Sequence, residues 1–593
     1  MASATAEPAS PEAGILPKPR RWDVPFWEES TGKRACKPMT EEVVAGILER
    51  KPFSTIDPKR FPKSIPLTGI LTNDARVRRL AKGELVVRQG DYGNSAFFVF
   101  KGSVRVLLEK VDETLLGRRV PRKKSFWSAL SQLWNNPITP ELRRYRDDDS
   151  QSRKSSVAQT TDAIDSVSTV FLQDVPNVIN TEHSLELKEG DLFGEIAALT
   201  RTPRTATIVA DSRCELLEIR WQGLRDIRQR SPELKRHIDK LYRERSLNSH
   251  LVATPMFAHL DDTDLKHVAE ATEFQAYGNY DWNVSYKKVQ DMEPAERLQY
   301  EPLVAQEGHY PNGVYLIRSG FARVSEHYNH GERTVSYLGR GQVFGFEEIA
   351  YNGLYSKSVP FRRTLRGLGH VDVLFIPTTV IEKYVLPHLD PSSIADLGEL
   401  NKPEQQRRDA AARQQFSPSL MEFLVERRFI NGTATMIIDM DRCTRCDDCV
   451  RACASTHQNN PRFIRQGPIH ERFMIANACL HCQDPVCMIG CPTGAIHRTS
   501  AGGQVVINDQ TCIGCATCAN ACPYDNIQIV PVRDGGGRII RDLVKNKPIE
   551  KAAKCDLCVD QLTGPACVNA CPHDAMVRAD MRDMDKLSAW FQR

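Results

Sequence analysis

Sixteen of the eighteen cysteines in this 593-residue chain crowd between Cys443 and Cys571, and no other feature restricts the fold as tightly. They form four quartets: Cys443, Cys446, Cys449, Cys453; Cys479, Cys482, Cys487, Cys491; Cys512, Cys515, Cys518, Cys522; and Cys555, Cys558, Cys567, Cys571. In the first and third, three thiols lie two residues apart and the fourth follows after three more. That spacing lets three thiolates take three irons of one cube while the fourth, a short helical turn away, reaches a neighbouring cube. Each iron needs one terminal thiolate, so sixteen cysteines satisfy four [4Fe–4S] clusters with none left over. Proline follows Cys491, Cys522 and Cys571, limiting backbone freedom and turning the chain away, whereas Ala454 follows Cys453. Zinc ribbons use pairs of cysteines with longer spacers, unlike these three-plus-one quartets. Met1–Gly14 lacks the apolar core of a secretory leader, which argues against a disulfide framework.

The stretch from Asp441 to Met576, about a quarter of the chain, resembles the four-cluster iron–sulfur subunits of dimethyl sulfoxide reductase, formate dehydrogenase and related molybdenum enzymes and hydrogenases. In that family the first quartet pairs with the fourth and the second with the third. The resemblance implies one cluster on Cys443, Cys446, Cys449 and Cys571 and its neighbour on Cys555, Cys558, Cys567 and Cys453. It implies a third on Cys479, Cys482, Cys487 and Cys522 and the last on Cys512, Cys515, Cys518 and Cys491. Four clusters in a small domain with no open metal position suit a wire. Gln504–Ile507 and Ile527–Val530 read as small flanking strands.

The preceding two-thirds has a different texture, with short β-branched runs punctuated by glycine. Gly83–Asp91 reads as a strand and turn, and Phe97–Val106 as a hairpin. The same grammar returns at Val304–Gly308 and Gly313–Val324, so two copies of one β module are expected. The first copy contains the run Asp191-Leu-Phe-Gly-Glu-Ile-Ala-Ala-Leu-Thr-Arg-Thr-Pro-Arg-Thr-Ala-Thr207. This run resembles the phosphate-binding cassette of cyclic-nucleotide-binding domains, the jelly-roll class of catabolite activator proteins and cyclic-nucleotide-dependent kinases. In such a site Gly194 permits close backbone approach, and Glu195 accepts a hydrogen bond from the ribose 2′-hydroxyl. Arg204 makes charge-assisted bonds to the cyclic phosphate of cAMP or another cyclic nucleotide. Backbone amides after Gly194 add an anion-binding terminus, and Thr205 is a further contact. The second copy is degenerate: Phe344-Gly345-Phe346-Glu347-Glu348 reads as the cassette start with one residue inserted. Its Arg362-Arg363-Thr364-Leu365 lacks the alanine.

The fold expected is multidomain α+β: two jelly-roll cyclic-nucleotide-binding-like domains, then a ferredoxin-like four-cluster iron–sulfur domain. The boundaries are an N-terminal arm (1–70), a first module (71–248) with a polar insertion (112–182), and a second module (249–390). A connector (391–430) and the cluster domain (431–593) complete the chain. Helices are expected at Glu41–Arg50, Pro232–Asn248, Asp261–Ala271 and Pro418–Arg428. Cys36 and Cys214 lack metal-spaced companions and read as small buried apolar residues.

A net charge of +4 gives no reason to expect nucleic acid, and no run of eighteen apolar residues occurs. A cytoplasmic location is expected, and the twin arginines Arg20–Arg21 read as a chance pairing. The function expected is that of a non-catalytic electron-transfer subunit in a hetero-oligomer, beside a flavin, molybdopterin or nickel–iron subunit. The competing readings are a redox or nucleotide sensor, and β modules that serve as nucleotide-free scaffolds.

Overall fold

A computed structural model describes residues 15–16, 22, 25–26, 38–107, 184–388 and 418–590, apart from short interruptions at 201–202, 246, 253, 280–281, 291, 329–330, 458–459, 501, 535–537, 560, 562, 584–585 and 588–589. The expected polar insertion, most of the connector, Arg20–Arg21 and Cys36 lie outside the described residues.

The first module has eight strands: β1 Ala75–Leu80, β2 Leu85–Val87, β3 Ser95–Lys101, β4 Val104–Leu107, β5 Ser184–Leu187, β6 Leu192–Phe193, β7 Thr207–Ala210 and β8 Cys214–Arg220. They form two four-stranded sheets, in the orders β1-β8-β3-β6 and β2-β7-β4-β5. Leu80, Val86, Phe97, Val99, Val104, Leu187 and Leu216 fill the space between them. The expected hairpin at Phe97–Val106 is absent as such. β3 pairs with β6 and β8, while β4 pairs with β5 and β7. Gly102, at φ 81°, turns the chain from one sheet to the other, a corner that sequence alternation alone does not distinguish from a hairpin.

The second module repeats this plan with β9 Glu273–Tyr277, β10 Leu303–Ala305, β11 Gly313–Ser319, β12 Ala322–Tyr328, β13 Gly331–Leu338, β14 Val343–Phe344, β15 Thr364–Gly367 and β16 Val371–Pro377. Its sheets run β9-β16-β11-β14 and β10-β15-β12-β13, the same order position by position. Here Gly320, at φ 84°, makes the corner.

Two expected boundaries cut through helices. Leu67–Asp74 spans the 70/71 division, and Met39, Val44, Ile47, Phe53 and Ile70 bury against Phe98, Leu217 and Trp221. From Met39 onward the expected arm is therefore part of the first module. Leu247–Val252 spans the 248/249 division, and its Leu247 and Leu251 enter the core of the second module. The helix Pro232–Arg245 buries Leu234, Ile238 and Leu241, the apolar face its spacing implies.

The cluster domain is built on β17 Thr435–Asp439, which pairs with β18 Phe473–Ile475 on one side and β23 Met576–Ala579 on the other. Two antiparallel pairs flank it: β19 Ile496–Arg498 with β20 Val505–Ile507, and β21 Gln528–Pro531 with β22 Glu550–Ala553. Both modules pack on this domain. Arg220 donates to the Thr493 carbonyl at 2.8 Å and Arg225 donates to the Ile489 carbonyl. From the second module, Trp282 Nε1 donates to Asp484 at 3.1 Å.

Candidate functional site

The thiols of the four quartets come together across the sequence. Cys482 lies among Cys479, Cys487 and Cys522, and burial together with those neighbours pushes its thiol well up. Cys453 faces Cys555, Cys567 and Cys558, again with burial as the main upward cause. Burial, then Cys491, Cys512 and Cys515, push Cys518 up to about 12. Cys449 faces Cys567 and Cys571, and Arg465 faces both Cys443 and Cys449. Cys446 sits exposed in the loop between them.

These neighbours also give the groups an order. Cys449 faces Cys567 of the next group, Arg578 faces Cys555, Cys567 and Cys479, and Cys487 faces Cys518. Burial agrees with that order, since Cys446 and Cys515 at the two ends are exposed.

The donor set fits iron–sulfur clusters. Close-packed thiols lifted by burial need a strongly positive centre before they can all ionise. The loops also aim N–H groups at sulfur: Arg462 N to Cys453 Sγ at 3.3 Å, Asn526 N to Cys522 Sγ at 3.4 Å, and Ala575 N to Cys571 Sγ at 3.3 Å. Arg445, Asp447, His481, Ala516, Leu557 and Cys558 all have positive φ. Left-handed residues of this kind turn successive amides toward an anionic centre. The missing proline after Cys453 has a local effect. The helix Asp448–Thr456 runs past Cys453, whereas Thr517–Ala521 ends just before Cys522-Pro523.

In the first module the cassette residues converge. Gly194 has φ 76° and Glu195 opens the short helix Glu195–Thr200, with only 2% of its surface exposed. Arg204 is buried, donating from Nη1 to the Gly194 carbonyl and from Nη2 to the Ser95 carbonyl, both at 2.7 Å. Its guanidinium lies 5.6 Å from the Phe97 ring centroid. A side chain at Gly93 or Gly194 would collide with that guanidinium. Burial lowers Arg204 to about 10, against the pull of Glu218, Glu195 and Asp91, so it stays cationic at neutral pH. Burial pulls Glu218 upward, but Arg76, Arg78 and Ser95 hold it at about 2. Thr205 is exposed.

The second module keeps the backbone of this site and discards its chemistry. Gly90 N donates to Arg204 O, and Gly308 N donates to Phe361 O, each at 2.8 Å. Arg204 N donates to Asp91 O at 2.7 Å, and Phe361 N to His309 O at 2.9 Å. Gln89 N to Thr207 Oγ1 and Glu307 N to Thr364 Oγ1 match at 3.1 Å. Phe361, not Arg362 or Arg363, thus holds the place of Arg204. Gly345 at φ 86° matches Gly194, and Phe346 follows it where Glu195 stands, with no residue inserted. Opposite Phe97, β8 presents Glu218; opposite Tyr315, β16 presents Phe375. Tyr315, Phe344, Phe361 and Phe375 form one aromatic cluster. Arg362 instead pairs with Glu347 at 2.7 Å and Glu348 at 3.1 Å. Sequence reasoning missed Phe361 because the arginines beside it were the expected residue type.

A loop of the first module joins the two sites, and sequence gave no signal of it. Tyr92 N donates to Ser500 O at 2.9 Å, and Asn94 Nδ2 donates to Arg498 O at 2.8 Å. Arg498 is almost fully buried, lies over the Tyr92 ring, and donates to the carbonyls of Cys482 and Gln483 at 2.5 and 2.8 Å.

Residues 470–533 and 504–572 match models of the 4Fe-4S dicluster domain. The electron transport protein HydN of Escherichia coli is 36% identical over 172 residues, covering 27% of this chain and 94% of HydN. The chain belongs to the iron–sulfur electron-transport proteins. An iron-sulfur protein of Rhodospirillum rubrum is 35% identical over 160 residues, covering 24% of this chain and 79% of that protein. Residues 180–231 match the cyclic nucleotide-binding domain. The regulatory domain of Toxoplasma gondii PKA with cAMP is similar at 13% identity and a TM-score of 0.20, over 62% of this chain and 96% of that one. Among the described residues no helix is long and apolar enough to cross a membrane.

Proposed function

We propose that this chain is the electron-transfer subunit of a larger oxidoreductase, with four cluster sites in a row and one cyclic-nucleotide site that adjusts them. The observation that carries this reading is the succession of thiol neighbours from Cys449 and Cys567, past Arg578 to Cys479, and on to Cys487 and Cys518, with Cys446 and Cys515 exposed at its two ends. Cys443, Cys446, Cys449 and Cys571 hold one terminal cluster, and Cys491, Cys512, Cys515 and Cys518 hold the other. Cys453, Cys555, Cys558 and Cys567, then Cys479, Cys482, Cys487 and Cys522, hold the inner pair. A bound cube supplies reversible one-electron storage. The protein supplies thiolates, amide donors and burial for the inner pair, and access for partners at Cys446 and Cys515. A flavin, molybdopterin or nickel–iron subunit meets one end, in a cytoplasmic hetero-oligomer.

Cyclic nucleotide, cAMP being one candidate, binds the first module. Arg204 takes the cyclic phosphate in the space cleared by Gly93 and Gly194, Glu195 takes the ribose hydroxyl, and Thr205 stands at the rim. To reach the phosphate, Arg204 gives up at least one of its bonds to Gly194 O and Ser95 O. That change bears on the loop Asp91–Asn94, and through Asn94 and Arg498 on the backbone of Cys482. Coupling of this kind is reciprocal.

The test is calorimetric titration of cAMP and cGMP into the anaerobic, cluster-loaded chain, oxidised and then reduced with dithionite. One nucleotide per chain with affinities that differ between the two states is expected. Equal affinities would remove the regulatory reading, and no binding of either nucleotide would leave both modules as scaffolds.

A further inference from the structure

The four thiol groups are not equivalent in their surroundings. Around the outer groups the described hydrogen bonds to sulfur come from neutral donors, such as Ala575 N to Cys571 Sγ and the 3.8 Å contact between Thr493 Oγ1 and Cys491 Sγ. At the inner position a guanidinium takes this role. Arg578, on β23, donates from Nη2 to Cys555 Sγ at 3.1 Å. Its Nη1 donates to the carbonyls of Ala434 and Cys479, at 3.0 and 3.2 Å. The register Met436↔Arg578 between β17 and β23 fixes its backbone, and the residue is half-buried. An arginine guanidinium keeps its charge at every working pH, and that of Arg578 faces Cys555, Cys567, Cys479 and Cys453. One fixed charge thus faces three thiols of one inner group and one thiol of the other.

We propose that Arg578 is a positioning residue that raises the reduction potential of the inner sites, most strongly the site of Cys453, Cys555, Cys558 and Cys567. The proposal rests on the four-site reading above. Reduction of a cluster adds one electron, hence one negative charge, taken from an external reductant. A half-buried cation with a hydrogen bond to a ligand sulfur stabilises the reduced form more than the oxidised form. His457 lies against the same group, with Nε2 3.6 Å from Cys558 Sγ and 3.4 Å from Asp556. Arg462 reaches Asp556 at 3.1 Å. Asp556 sets a carboxylate beside these groups, and Arg465 faces Cys443 and Cys449 at one end, so what singles out Arg578 is its direct bond to a thiol sulfur. An intermediate held at such a site is kept away from solvent, and the exposed ends remain the points of exchange.

The experiment is an EPR-monitored potentiometric titration of the full chain, with dithionite as reductant, comparing the parent with Arg578→Gln and Arg578→Lys. In Arg578→Gln the reduced-to-oxidised ratio of one component, at a fixed poise, is expected to fall about tenfold, equivalent to a shift of about 59 mV for one electron. The components of the two exposed ends serve as internal references and stay in place. Arg578→Lys keeps the charge but cannot serve Cys555, Cys479 and Ala434 together, so a smaller shift of the same component in the same direction is expected. Unchanged components in Arg578→Lys, or an equal shift of all components in either variant, would overturn the proposal. Iron and sulfide analysis separates the two levels. A parent chain with fewer than about sixteen irons sinks the four-site reading, whereas a full complement with an unmoved inner component sinks the role of Arg578 alone.

Discussion

The two β modules share a strand order, a corner glycine and a cassette glycine, yet they present opposite chemistry at the same place. In the first, Arg204, Glu218, Glu195 and Ser95 surround a space cleared by Gly93 and Gly194. In the second, Phe361, Phe375, Phe346 and Gly313 hold the equivalent positions, and a matching set of backbone hydrogen bonds keeps the loop shape. The difference shows which part of the design is structural. Backbone bonds and left-handed glycines maintain the cassette, so the fold survives whether the space is charged or aromatic. The second module packs aromatic rings where the first holds a buried arginine and two carboxylates.

That contrast can be broken at Phe361, where the largest effect is expected. Phe361→Arg buries a guanidinium opposite Phe375 rather than a carboxylate, and should cost about 3–5 kcal/mol. Hydrogen exchange over β15 and β16 resolves this loss module by module, which a single melting curve of a multidomain chain does not. If exchange there is unchanged, the aromatic cluster is not what holds the second cassette.

Acid sharpens the comparison next. Glu218 is depressed to about 2 from an ordinary value of 4.5. A lowered carboxylate contributes stability that is fully present above pH 4.5 and disappears as the pH falls toward 2, about 3 kcal/mol in all. Exchange of β3 and β8 should therefore accelerate between pH 5 and pH 3, and Glu218→Gln should flatten that slope. A variant with the parent slope would mean that other carboxylates govern acid loss.

Arg204→Ala should weaken cyclic-nucleotide binding about 100-fold, the loss expected for charge-assisted bonds to phosphate. The same titration should give one site per chain in the parent. Two sites would show that the aromatic cassette also accepts ligand. The smallest effect is expected at Asn94, which touches Arg498 rather than the nucleotide space. Asn94→Ala should keep nucleotide affinity near the parent value while removing most of the oxidised-to-reduced difference, a change of about fivefold, near 1 kcal/mol. A variant that retains the full difference would place the coupling elsewhere.

Much of this was legible in the sequence because the carriers are local. Four-thiol spacing and the Gly194–Thr207 cassette are fixed by residues close in the chain, and they mark their elements without reference to the rest. The sheet change at Gly102 was not legible, because alternation along β3 and β4 is the same for a hairpin and for a jelly-roll corner. The place of Phe361 was hidden by Arg362 and Arg363, and register decided between them. Met39–Ile70 read as an arm because its apolar residues are spaced irregularly, yet they pack against Phe98 and Trp221. The Asn94–Arg498 contact joins residues 404 positions apart, and no sequence pattern announces such a pair.

Spin quantification of the anaerobic, dithionite-reduced chain, with iron and acid-labile sulfide measured on the same sample, tests the central claim most directly. The account predicts about sixteen irons and about four reducible one-electron centres per chain. Zinc in the thiol sites, or two centres with eight thiols free to alkylation, would contradict it.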